Sequence, residues 1–245
     1  MSDSQKRRVR WTGSLLWAAW ALGCGTAAPP AVVPSAPVEA APAPSSPARA
    51  NLTMSAELGG LDERAAEQSF RASMAGIQAC IRNGVERLEF ISGSIEFAVK
   101  IDASQRAAQV WAAESTLGER GTEKCMFEAL RSVTWPAPLG GPFGIARNFF
   151  EFEPRKGALV PAVWDAGRIS RVLAGLDGRL SACRGAGAER LLITLYIGQG
   201  GKALGGGAAS AEPVDDGAVD CVVDTLLGAA YPAPERTPTK VRFEL

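Results

Sequence analysis

The chain has 245 residues, 47% of them apolar, with 26 basic and 26 acidic side chains and no histidine. That length allows one or two domains with modest cores, and the even charge leaves no electrostatic footprint for DNA or RNA, so nucleic acid is disfavoured as a partner. Without histidine there are no Ser-His-Asp or Cys-His arrangements and no His-containing zinc site, while carboxylate pairs and lysine keep acid–base chemistry open.

The N-terminus reads as an address. Lys6-Arg7-Arg8-Val9-Arg10 is a basic segment, and Trp11 to Gly23 is an apolar run of 13 residues, short for a bilayer-spanning helix. Without residues 1–23 the chain carries 22 basic and 25 acidic side chains, a balance near −3. The run ends at Trp20-Ala21-Leu22-Gly23-Cys24, which resembles a bacterial lipoprotein signal, with small Gly23 ahead of the cysteine and Ala21 where leucine is commoner. The resemblance implies removal of residues 1–23, a lipid on Cys24, and an outer-membrane lipoprotein of the cell envelope, since Gly25 rather than aspartate follows. A secretory signal cut elsewhere and a short uncleaved anchor are the alternatives. Residues 24–60 then form a tether: seven prolines among alanine, serine and valine between 29 and 47 cannot build a core and favour an extended spacer.

Beyond the tether a pattern occurs twice. Cys125 and Pro136 stand in the same relation as Cys221 and Pro232, and Ile101 and Ile197 each precede their cysteine by 24 residues. This predicts an internal duplication. In the first copy Phe70, Met74, Ile77 and Ile81 make a helical stripe over 61–83, which Asp62 can cap and Gly84 can end. Ile95, Phe97, Val99 and Ile101 alternate as a strand, Asp102–Gln105 is a turn, and Ala107–Ala113 the returning strand. A second helix is predicted over 122–133, ended by Pro136 and Pro138, and Ala146–Phe152 is a last strand. The second copy repeats the order: a helix between Asp165 and Arg184, strands Leu191–Ile197 and from Ala203, a helix through Val219 and Leu226, and Thr239–Leu245. Gly205-Gly206-Gly207 predicts a short, bulged or frayed second strand there. The fold class is α+β: two tandem α-β-β-α-β units, 61–154 and 164–245, joined by a linker at 155–163, each a three-stranded antiparallel sheet against two helices.

Cysteine in each helix, an alternating strand, a tight turn, an aromatic-Pro-Ala-Pro corner and a final Phe-containing strand resemble the TonB C-terminal-like domain, in the variant found in envelope lipoproteins and gliding-motility-associated proteins. The chain departs from an energy-transducing TonB in having no long N-terminal transmembrane helix. The resemblance implies that a partner peptide is received by strand addition at a sheet edge, here Arg147 and Phe149 in the first unit and Val241 and Phe243 in the second. Cover from the other repeat, or edge charges such as Arg147, Arg242 and Glu244, would instead protect those edges.

Spending Cys24 on lipid leaves two cysteines per copy, and export favours disulfides Cys80–Cys125 and Cys183–Cys221, with buried thiols or cross-copy pairing as alternatives. No C-x-x-C pair suggests a metal. Gly198-Gln199-Gly200-Gly201-Lys202-Ala203 fits a dinucleotide fingerprint by letter, but three more glycines follow where a helix must start, so it reads as a hairpin turn and no cofactor is expected. Trp135 and Tyr231 read as core plugs rather than the floor of a groove. Glu114, Glu119, Glu123, Asp215, Asp216 and Asp220 read as solvated helix starts. The expected function is a lipid-anchored, non-enzymatic module that binds or scaffolds an envelope protein. The alternatives are a structural envelope component and an envelope-polymer enzyme using a carboxylate pair.

Overall fold

The computed structural model describes residues 60–245 except 155 and 185–189. Cys24, the signal-like segment and the tether up to residue 59 lie outside the described residues. The described residues fall within one compact unit. The elements run α1 (Glu63–Arg87), β1 (Gly93–Asp102), β2 (Ala107–Ser115), α2 (Arg120–Arg131) and β3 (Phe143–Phe152). A short strand β4 (Ala162–Trp164) and a 3-10 turn follow, then α3 (Ser170–Arg184), β5 (Leu192–Ile197), β6 (Ala203–Ala209), α4 (Asp216–Leu227) and β7 (Thr239–Glu244). The fold is α+β with a three-stranded antiparallel sheet, β2-β1-β3, and a four-stranded mixed sheet, β4-β7-β5-β6.

The second sheet differs from the expected three antiparallel strands. Ala162–Trp164, at the end of the stretch read as a linker, pairs in parallel with Thr239–Val241. The linker must deliver the chain to Asp165, whose carboxylate accepts the Gly167 N–H at 2.8 Å and starts the next helix. On the way its backbone passes β7, and the Ala162 N–H donates to the Pro238 carbonyl at 3.0 Å.

Asp62 caps α1 by accepting the Ala65 N–H at 2.9 Å, and Ala66, Phe70, Ile77 and Cys80 form its buried stripe. Gly84 does not stop the helix. It lies buried within it, where Thr122 comes so close that a Cβ would collide with the Thr122 hydroxyl. Glu119 caps α2 and Asp215 caps α4, each through the backbone N–H three residues on. One disulfide joins α1 to α2 through Cys80–Cys125, and one joins α3 to α4 through Cys183–Cys221, with Cα separations of 5.6 and 5.4 Å.

Hydrogen bonds recur 96 residues apart. In the first hairpin Asp102 N–H donates to Arg106 O and Gln105 N–H to Asp102 O; in the second, Gly198 N–H donates to Lys202 O and Gly201 N–H to Gly198 O. Gln105 and Gly201 both adopt left-handed backbone, with φ of +64° and +71°. Each turn is then pinned by the aromatic before its Pro-Ala-Pro: Trp135 N–H donates to Gln105 O and Tyr231 N–H to Gly201 O. The side chains turn the other way and cap the preceding helix, Trp135 Nε1 to Leu130 O at 3.0 Å and Tyr231 Oη to Leu226 O at 2.7 Å. Both rings are buried. The Gly198–Ala203 run is a hairpin turn entering a strand.

β6 is a seven-residue strand, buried from Gly205 to Ala209, rather than a short, frayed one, although a bulge does interrupt its pairing with β5 at Tyr196–Ile197. Its glycines serve a close approach, because the start of α2 lies against it. A methyl on Gly207 would meet Glu123 Oε1 at 2.5 Å, and one on Gly205 would meet Gly118 O at 3.0 Å. The two sheet edges also touch: Ser210 N–H donates to Ala112 O at 2.9 Å. Across the same boundary Arg120 pairs with Asp216 and Asp220 at 2.7 and 2.8 Å, and Lys124 with Asp220 at 2.7 Å.

A pair of glycine substitutions checks this packing. Gly207→Ala forces Glu123 to move and should cost about 1–3 kcal/mol by overpacking. Gly178→Ala in α3, where a Cβ meets nothing within 4 Å, should stabilise by about 0.5–1 kcal/mol through helix propensity. Urea unfolding of both variants, with shifts of opposite sign, is the expected result.

Candidate interaction edge

Of the strands expected to offer an edge, β3 does so along its whole length. Among the described residues it pairs with β1 alone, in unbroken register from Gly93↔Phe152 to Asp102↔Phe143. The Phe149 N–H points away from β1 and donates to the side-chain oxygen of Asn148 at 2.8 Å. Backbone groups alternate with period two along an antiparallel strand, so those of Ile145, Arg147 and Glu151 also face outward. The Phe149 ring stands 57% exposed on the face away from the helices, while Ala146, Phe150 and Phe152 pack against the first core. The Arg147 side chain is occupied: it contacts Glu96 at 3.4 Å and donates to the Ala211 carbonyl at 3.4 Å. Its backbone, not its charge, is what the edge presents.

The second expected edge is closed over half its length. β4 pairs with β7 through Val241, and Val241 is buried in the second core. Phe243 packs partly against that core, and beyond Trp164 no strand flanks Arg242–Leu245 on that side among the described residues. Ala162–Trp164 forms a strand along β7; ahead of α1, where the described residues begin at Gly60, Gly60 bridges to Leu139.

The acidic clusters are not all solvated helix starts. Glu119 does cap α2; burial pushes its carboxyl up, but hydrogen bonds from Arg87 and Thr122 outweigh this and hold it below the usual range. Asp216 and Asp220 face the cations of α2. Glu123 is 0% exposed. The Ser115 hydroxyl donates to its Oε1 at 2.7 Å, and Oε2 has no partner. Burial drives this carboxyl up to about 7, against the pull of Ser115 and Arg120. Lys240 is also displaced: burial, with Arg242 nearby, lowers its amine to about 8, and it donates to Ser92 O at 3.0 Å. Neither Glu123 nor Lys240 lines the two grooves beside β3. Two converging carboxylates with raised pKa would favour an enzyme; here the neighbour of Glu123 in the helix start, Glu119, is held low.

Among the described residues no group of histidine, cysteine, aspartate and glutamate could hold a metal ion, and no helix is long and apolar enough to cross a membrane. No family model, curated protein or solved structure matches the chain.

Proposed function

We propose that this protein is a protein-binding module that captures an extended segment of a partner by strand addition to β3. The observation carrying this reading is the open ten-residue edge of Phe143–Phe152 with an exposed aromatic beside it. Such an edge, about 30 Å long, promotes aggregation unless it is protected or used. In the second half β4 covers part of the corresponding strand, and among the described residues no strand covers β3. In strand addition, outward N–H and C=O groups supply sequence-tolerant affinity, and alternate side chains supply selectivity. Asn148, which already occupies the Phe149 N–H, guards the edge until a competing carbonyl arrives.

The two halves are read as tandem copies of one α-β-β-α-β unit. Support comes from the hydrogen bonds repeated at 96 residues and from one helix–helix disulfide in each half. The pattern remains similar to the TonB C-terminal-like domain, whose members receive peptides in this manner. The site of action is the cell envelope, with the domain held on a lipid at Cys24 by the proline-rich tether and its partner another envelope protein. That part rests on the sequence around Gly23-Cys24, and intact-mass measurement of the mature chain tests it: a diacylated or triacylated N-terminal Cys24 is expected, and an unmodified Met1 start would contradict it.

Replacing Phe149 by proline tests the edge. Its N–H faces outward, so proline removes no bond to β1, and the fold should tolerate it as edge strands do. Phe150→Pro, which removes an inward donor, should be strongly destabilising. Chemical crosslinking in intact cells should recover partners with the natural chain and lose them with Phe149→Pro. An unchanged partner set with a folded variant would remove the edge from the account.

A further inference from the structure

A strand laid outside β3 would have two faces, and the one toward α1 has chemistry of its own. Even-numbered side chains of β3 point to the helix side, so an added strand would send alternate side chains down between β3 and α1. Two cavities open there. One of 420 Å³ sits against the first turns of α1, with Leu61, Ala66 and Phe70 beside Ala146 and Asn148. The other, of 640 Å³, sits at the far end of the same helix over Ile81, Val85, Ile91 and Phe152. Each has an apolar floor and a charged rim.

The rims are mainly acidic. Glu63 and Glu67 stand at the first cavity, and Glu86, Glu151 and Glu153 at the second, against Arg147 and Arg82. Arg147 is taken up by Glu96, and Glu67 by Arg71. Glu63, Glu86, Glu151 and Glu153 have no ion-pair partner among the described residues. Glu86 and Glu153 therefore stand unneutralised at the larger cavity, with Arg82 on the same rim and the outward backbone groups of Glu151 alongside; the Glu151 side chain, like that of Phe149, belongs to the opposite face of β3. Of the helix-facing β3 residues, Ala146 lines one cavity and Phe152 the other. These two are six strand positions apart, an even spacing that keeps two anchors on one face.

From this we infer that the β3–α1 groove selects a cationic extended segment of a protein partner. Two apolar side chains roughly six positions apart fill the cavities, and lysine or arginine beside them meets Glu86 and Glu153. The inference rests on the strand-addition reading and adds the partner's chemistry to it.

Fluorescence anisotropy on the full chain tests both separately. The probe is an acetylated, amidated peptide of about nine residues with leucines roughly six apart and lysines between them. It is compared with a counterpart carrying glutamate for lysine, and with a version N-methylated on alternate amides. These exposed charge pairs should make the lysine peptide about fivefold tighter than the glutamate peptide. The double variant Glu86→Gln, Glu153→Gln should abolish that preference, and added salt should do the same. Equal affinities for the two peptides, or a ratio unchanged in the double variant, would overturn the charge selection while leaving strand addition standing. Binding indifferent to N-methylation on either register would overturn strand addition itself. Absence of binding by every peptide would overturn the inferred groove specificity.

Discussion

Breaking the two disulfides is expected to be the most destabilising change available to this fold. Each closes a long loop, 45 residues for Cys80–Cys125 and 38 for Cys183–Cys221. In the chain-entropy picture such loops are worth about 4 kcal/mol each, and removals from small domains cost about 2–5 kcal/mol. A domain whose total stability is about 5–15 kcal/mol cannot lose both and remain well folded. The Cys80→Ala/Cys125→Ala variant should therefore melt about 10 °C below the natural chain, and reduction of both bonds should leave a largely unfolded population at 37 °C. Calorimetry with and without reductant checks this. A melting temperature unmoved by reduction would mean that the helix pairs do not depend on their staples.

Glu123→Gln should act in the opposite direction and reveal itself through pH. The folded carboxyl titrates at about 7, against a model-compound value of 4.5. Below pH 4.5 it is protonated in both the native and the unfolded chain and has no net effect. Between pH 4.5 and 7 the unfolded chain releases the proton while the native one holds it, so stability falls as pH rises. Above pH 7 the full penalty is present, about 3 kcal/mol at 1.4 kcal/mol per pKa unit. Glutamine keeps the shape and cannot ionise. The variant should match the natural chain near pH 4.5 and exceed it by about 3 kcal/mol at pH 8, read from urea midpoints. Parallel stability curves for the two proteins across this range would place Glu123 in a wetter site than its burial against Gly207 indicates.

The buried Glu123 shows where sequence reading stops. In Glu119-Arg120-Gly121-Thr122-Glu123 nothing marks the last residue as buried, since a polar first turn is what a solvated helix start looks like. Only the docking of α2 on β6 dries it. Two signs of that docking were present in the chain. Three successive glycines within a strand mean that another backbone or side chain comes close, here α2 with Glu123. Residues 96 apart also carry opposite charges, Arg120 with Asp216 and Lys124 with Asp220, as positions facing each other across the interface between two similar halves would.

The helices, the hairpins and the aromatic corners were legible because they rest on local periodicity and on a pattern present twice. The order of strands within the second sheet was not. β4 is three residues long, and its presence depends on where the linker passes, which no period encodes. For the same reason the sequence offered Val241 and Phe243 as an edge equal to Arg147 and Phe149, although β4 flanks β7 through Val241 and no strand among the described residues flanks the outer side of β3.

Site-specific photocrosslinking in intact cells distinguishes capture at β3 from capture at β7. A photoreactive side chain replaces Phe149 in one chain and Phe243 in another. A discrete adduct is expected from position 149 and only background from position 243. Adding Glu151→Pro, which blocks an outward N–H without touching β1, should abolish the adduct at 149. Equal adducts from both positions, or an adduct at 149 indifferent to Glu151→Pro, would contradict capture by strand addition at β3.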